Sequence, residues 1–148
     1  MKMKIGEKFV DSSSTPVIIA EMSGNHNQSL DRALAIVDAA AAAGAHAIKL
    51  QTYTADTMTL ALDEGEFFIS DPQSLWVGQS MHALYGQAHT PWEWHGPIME
   101  RAASKGLMCF SSPFDESAVD FLETLDAPAY KIASFECIDL PLVRKAAS

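Results

Sequence analysis

Cysteine is nearly absent from this chain. Its two cysteines, Cys109 and Cys137, lie far apart and form no CxxC pair. A disulfide framework or a cysteine-held zinc site is therefore not expected, and the cytosol is the expected compartment. Basic residues are also few: 10 Lys and Arg stand against 19 Asp and Glu, a formal net charge of −9. With no basic block, nucleic acid is not an expected partner. Long apolar runs are missing too. The longest, Ala33 to Ala45, is broken by Asp38 and falls short of the roughly 20 residues that cross a bilayer. Lysines near the start of the chain are not followed by an apolar stretch, so no signal peptide is expected. Finally, no GxGxxG or P-loop pattern follows any apolar run, which leaves dinucleotide and NTPase readings without their fingerprints.

What is present is the make-up of a globular domain. The chain has 148 residues, of which 48% are hydrophobic and 20% charged, enough to bury a core. Its negative charge favours solubility. If the substrate is an anion, a few local lysines must hold it against that global field.

Along the chain, residues 1–16 read as a short strand or hairpin ending in the serine-rich turn Ser12-Ser13-Ser14-Thr15-Pro16. Val17-Ile18-Ile19-Ala20 is a compact apolar run, as in a strand buried on both faces. A polar, Gly-containing loop follows, and Ser29 is placed to cap a helix. Leu30, Ala33, Leu34, Val37 and Ala41 keep a helical period, and Gly44 supplies the stop. Ala45 to Gln51 reads as the next strand, completing a βαβ unit. Thr90-Pro91-Trp92-Glu93 predicts a helix start with Thr90 as the cap, and Gly106 the end of that helix. Leu107–Ser111 is the third expected strand, Asp115–Leu125 a helix, Ala129–Ala133 a fourth strand, and Leu140 onward another helix. The segment from Thr52 to His89 is too long for an ordinary connection. It reads as a lid, a partner-contacting excursion or a tolerated insertion, with a short helix expected within residues 72–85.

Strict alternation of strands and helices predicts a parallel sheet, open and doubly wound or closed as a barrel. Periodicity alone leaves both open. Each expected strand is apolar, yet polar residues gather at its C-terminal end: Glu21; Lys49 and Gln51; Ser111 and Ser112; Lys131, Ser134 and Glu136. In a (β/α)₈ barrel that end carries the active site. Alternation puts Ala47, Lys49 and Gln51 on one face and Ile48 and Leu50 on the other, and Ala129, Lys131 and Ala133 repeat the pattern. A lysine inside an apolar strand is costly without a partner. The bland alternative is a frayed end whose lysine reaches solvent; two lysines in matching contexts favour an anion site. Glu21 and Glu136 are candidate acids or bases or ion-pair partners of these lysines. His26 could touch substrate or hold its loop together. His46, His82, His89 and His95 lack ligand spacing and read as structural, as do Trp76, Trp92 and Trp94, although an aromatic in the long loop could face a sugar ring.

Four stretches carry a resemblance: Ile19-Ala20-Glu21-Met22-Ser23-Gly24-Asn25-His26-Asn27, Ala45-His46-Ala47-Ile48-Lys49-Leu50-Gln51-Thr52, Phe110-Ser111-Ser112-Pro113-Phe114-Asp115, and Pro128-Ala129-Tyr130-Lys131-Ile132-Ala133-Ser134-Phe135-Glu136-Cys137. In this order they resemble the sialic-acid synthase family, whose members condense phosphoenolpyruvate with an amino-sugar aldehyde. Ser23-Gly24-Asn25-His26-Asn27-Gln28-Ser29 and Gln87 to His95 are most similar to its pseudaminate-making branch.

The resemblance implies an α/β fold of (β/α)₈ TIM-barrel type with the first four βα units present. Residues 1–148 would then be the N-terminal half of the barrel, without the C-terminal half-barrel and the antifreeze-like domain. It implies that Lys49, Gln51, Ser112, Lys131 and Ser134 bind the phosphate and carboxylate of phosphoenolpyruvate. Glu21 and Glu136 fall at the catalytic acidic positions. The implied sugar is 2,4-diacetamido-2,4,6-trideoxy-altrose. A divalent metal, Mg or Mn, is implied, but its histidine ligands belong to later strands, so the 148 residues alone are expected to be inactive or nearly so. Unpaired edge strands lead to an expected homo-oligomer. Alternatives are a neuraminate or legionaminate synthase, or a non-catalytic half-barrel that binds ligand or self-associates. An octulosonate-phosphate synthase would need further basic residues that the chain lacks.

Overall fold

The computed structural model describes residues 3–5, 8–11 and 13–148. Met1, Lys2, Gly6, Glu7 and Ser12, parts of the expected hairpin and serine-rich turn, lie outside the described residues. The hairpin itself is present: β1 (Met3–Ile5) pairs antiparallel with β2 (Lys8–Val10).

The central sheet is parallel and has three strands in sequential order, β3 (Ile19–Glu21), β4 (Ala47–Thr52) and β5 (Met108–Pro113). Between β3 and β4 runs α1 (Leu30–Ala42), where the Ser29 hydroxyl accepts from the Arg32 N–H as expected. Gly44, at φ +80°, turns the chain out of this helix, a conformation that costs glycine little. The excursion after β4 contains α2 (Ala55–Met58), a 3₁₀ turn at Gly65–Phe67 and α3 (Met81–Ala88). The expected short helix is α3, which begins inside the 72–85 window and runs three residues past it. Ser80 caps α3 through its hydroxyl, while residues 71–78 are held by turns such as Gln73 N–H to Asp71 Oδ1.

A 3₁₀ turn, Trp92–Trp94, leads into α4 (His95–Ser104). Thr90 is not the cap predicted for this helix. Its hydroxyl is bonded to His26 Nε2 at 3.1 Å, across 64 residues of chain, a long-range bond that displaces the local one. After β5 comes α5 (Glu116–Glu123), capped by Asp115, and the chain closes with α6 (Leu140–Ala146), capped by Asp139.

The expected strand at Ala129–Ala133 is reduced to one parallel bridge, Ser111 with Tyr130, and one backbone bond, Lys131 N–H to Ser111 O at 3.1 Å. One physical cause is Pro128, which precedes the segment and has no N–H to donate. Three strands are thus observed where four were expected.

Side chains alternate across the sheet. Ala20, Ile48, Leu50 and Cys109 face α1 and α4, where they meet Ala33, Val37, Ile98 and Ala102 in one buried cluster. Arg101 of α4 forks onto Asp38 of α1 with bonds of 2.9 and 2.6 Å. α5 continues the same layer, because Phe121 stacks on Trp92 and meets the His95 ring edge-on. Sequential strands with their helices on one face are wound like a barrel segment; a doubly wound sheet carries helices on both faces.

Candidate anion site at the strand ends

Register decides which polar groups meet. Glu21 pairs with Lys49 and Lys49 with Phe110; Gln51 pairs with Ser112. All of these lie on the sheet face away from α1 and α4. Lys49 is 8% exposed, and its Nζ lies 3.3 Å from Glu21 Oε1. The ion pair considered for Glu21 from sequence is thus formed, with Lys49 as the partner. The carboxylate end is open to solvent, its side chain 61% exposed, while the lysine side chain is 9% exposed.

Ser112 is 1% exposed, and its Oγ has no hydrogen-bond partner among the described residues. Gln51 beside it is half-buried. A buried hydroxyl left unpaired costs free energy, on the order of 1–3 kcal/mol, unless a ligand or water meets it. The Lys131 N–H bond to Ser111 O carries the chain alongside Ser112. The Lys131 side chain is exposed, as is Ser134 one turn further on, while Glu136 is half-buried in the 3₁₀ turn Glu136–Ile138. Its Oε2 is another buried oxygen without a partner among the described residues. Glu21, Lys49, Gln51 and Ser112 are therefore built onto rigid strands, whereas Lys131, Ser134 and Glu136 belong to the connection between β5 and α6.

On the opposite face the polar groups are fully engaged. The His95 Nδ1–H donates to Pro91 O at 3.3 Å. Nε2 is then the acceptor for the Thr52 hydroxyl at 2.9 Å, and Thr52 Oγ1 in turn accepts from the Ser111 hydroxyl at 2.7 Å. Burial pushes the His95 pKa down to about 4, so the ring is neutral and this order of donors holds. Sequence reasoning placed Ser111 among the strand-end polar residues but missed this chain. The signal was a Thr at the end of β4, but nothing local names its distant partner.

His26 is fully buried. Its Nδ1 accepts from the Gln28 N–H at 3.2 Å, so Nε2 carries the proton donated to Thr90. Burial, then the nearby His89, lowers its pKa. Of its two expected roles, the structure shows the one that holds the loop together. That loop contains Ser23, Asn27 and Gln28 at positive φ, conformations non-glycine residues adopt only when their surroundings impose them.

The wound parallel sheet defines an α/β domain, and its buried lysine and the Ser112 hydroxyl, unpaired among the described residues, lie at the strand ends, the end that carries the active site in barrel enzymes. Comparison with known proteins makes the assignment specific. Residues 36–148 match the model of the NeuB family, and the chain belongs to that family. It is 50% identical over 142 residues to pseudaminic acid synthase of Campylobacter jejuni, covering 96% of this chain and 40% of that protein. Pseudaminic acid synthase of Helicobacter pylori is 47% identical over 132 residues, 89% of this chain and 38% of that one. Among solved structures, N-acetylneuraminic acid synthetase from Leptospira borgpetersenii, in complex with citrate, superposes with TM-score 0.83 at 26% identity, over 99% of this chain and 46% of that chain. The Bacillus subtilis spore coat polysaccharide biosynthesis protein spsE gives TM-score 0.74 at 33% identity, over 99% and 37% respectively. The chain thus spans about 40% of the length of the curated relatives it matches.

Proposed function

We propose that this chain supplies the phosphoenolpyruvate-binding part of a pseudaminic acid synthase, built from the opening units of a (β/α)₈ barrel. The observation that carries the reading is the Lys49 site: a buried ammonium with one solvent-facing carboxylate partner, beside the unpaired buried Ser112 hydroxyl. A phosphate and a carboxylate require fixed cations and donors, and charge-assisted bonds from a rigid strand supply them. Lys49 takes the anion's charge, Ser112 and Gln51 donate hydrogen bonds, and Lys131 and Ser134 close over the anion from the connection after β5. About 50% identity to pseudaminic acid synthases over nearly the whole chain supports the choice of reaction.

In that reaction C3 of phosphoenolpyruvate attacks the aldehyde carbon of 2,4-diacetamido-2,4,6-trideoxy-altrose. Water adds at C2, and phosphate leaves with cleavage of its C–O bond. Glu21, at the Lys49 strand end, is placed to exchange a proton with the sugar oxygen or the water, and Glu136 is the second carboxyl available for this. The family implies a divalent metal. Among the described residues no three His, Cys, Asp or Glu side chains form a group able to hold one, so these residues by themselves do not fit the ion. Chemistry at the sugar would draw on further groups, in the same protein or across a homo-oligomer.

Calorimetric titration of phosphoenolpyruvate tests the reading. Binding by the 148-residue chain, lost in a Lys49→Ala, Lys131→Ala double variant, is the expected result. A folded chain that binds phosphoenolpyruvate no better than the double variant would overturn it.

A further inference from the structure

A second cleft lies outside the anion site. It occupies about 600 Å³ between the 23–28 loop and the excursion that ends in α3, lined by Asn25, Asn27, Gln28, Gln87, Trp76 and Leu84 among others. None of its lining residues carries a charge, in a chain whose net charge is −9. An uncharged, amide-rich lining suits a neutral polar group better than an ion.

The polar lining is made of side-chain carboxamides. Gln28 uses its amide hydrogens to hold the Gln87 and His89 carbonyl oxygens at 2.9 and 2.6 Å, which leaves its Oε1 free to accept. Asn25 donates once, to Met22 O at 2.9 Å. A carboxamide offers donors and an acceptor together and so matches both the C=O and the N–H of another amide. Trp76, 50% exposed, adds an indole that can cover a methyl group or a ring face. The His26–Thr90 bond and the approach of Gly24 to Ala88 O, where a Cβ would come within 3.0 Å, fix the loop against α3. The cleft is therefore pre-formed, and it begins three residues after Glu21.

We infer that this cleft binds an acetamido group of the sugar substrate, with the carboxamides of Asn25, Asn27, Gln28 and Gln87 on its amide and Trp76 on its methyl. The inference deepens the proposed function and rests on it for the identity of the sugar. Trp76, Asn27 and Gln87 are thereby specificity residues, separate from the anion-binding lysines.

The test follows the indole and side-chain amide N–H resonances of the 148-residue chain during three titrations: 2,4-diacetamido-2,4,6-trideoxy-altrose, 6-deoxyaltrose with hydroxyls in place of both acetamido groups, and phosphoenolpyruvate. The diacetamido sugar is expected to shift the Trp76 and Gln87 signals, and 6-deoxyaltrose to leave them in place. Trp76→Ala, at a half-exposed position, and the near-isosteric Gln87→Leu should each weaken the diacetamido sugar at least tenfold and leave phosphoenolpyruvate binding unchanged. No shift with the diacetamido sugar, equal shifts with 6-deoxyaltrose, or full affinity in both variants would overturn the assignment. Phosphoenolpyruvate that fails to bind while the diacetamido sugar still shifts Trp76 would instead remove the proposed reaction and leave the cleft standing.

Discussion

The two faces of the β3–β4–β5 sheet are made from alternate residues of the same strands, yet their polar groups fare differently. Toward α1 and α4, Thr52, Ser111 and His95 form a closed chain of donors and acceptors over an apolar cluster. One residue along each strand, Lys49 shares its charge with a solvent-facing carboxylate and Ser112 has a buried oxygen without a partner. The first face is finished as a core, while the second keeps a buried hydroxyl unpaired among the described residues, the group that the proposed anion site uses. The lesson is that burial alone does not separate structural from functional polar groups, since both faces hold nearly inaccessible ones. Completeness of hydrogen bonding does.

Mutations should read that difference directly. The largest loss of stability is expected on the helix face: Ile98→Ala, at a fully buried position, should cost about 2–5 kcal/mol in denaturant unfolding. Acid should act on the same face. The His95 pKa is depressed to about 4 by burial, while in the unfolded chain it is near 6.5. The unfolded state then binds the extra proton, so stability is complete above about pH 7 and falls as pH drops toward 4, by on the order of 3 kcal/mol. His26, also lowered by burial, adds in the same direction. Unfolding midpoints measured between pH 4 and 8 check this, and His95→Gln should flatten the curve. Thr52→Val removes the middle of the chain of donors and leaves His95 Nε2 unpaired, at a cost of about 1–3 kcal/mol.

Ser112→Ala should break the pattern. The serine is as buried as Ser111, but its hydroxyl has no partner to lose. Stability should hold or rise, by up to about 1–3 kcal/mol, while phosphoenolpyruvate binding weakens by about tenfold, the worth of one hydrogen bond. A large stability loss from Ser112→Ala would erase the distinction between the faces.

Much of this contrast was legible in the sequence. Period-two alternation put Lys49 and Gln51 on one face and Ile48 and Leu50 on the other, and the structure keeps that division. Ser29 caps the helix that follows it, and a helix follows β5 where Asp115–Leu125 was expected, with Asp115 as its cap rather than its first residue. Local signals failed where distant contacts decided. Thr90 had the context of a helix cap but serves His26 instead. Ala129–Ala133 has the composition of a strand, but it follows Pro128 and keeps one bridge. The amide-lined cleft was not legible, because Asn25 and Gln87 are 62 positions apart in sequence and meet only when α3 packs on the loop.

Thermal unfolding with and without saturating phosphoenolpyruvate, for the chain and its Lys49→Gln variant, tests the Lys49 face most directly. A ligand that binds only the folded state raises the unfolding temperature. The account predicts a clear rise for the unaltered chain and none for Lys49→Gln. An equal rise in both proteins, or no rise in either, would contradict the claim that this face is an anion site organised around Lys49.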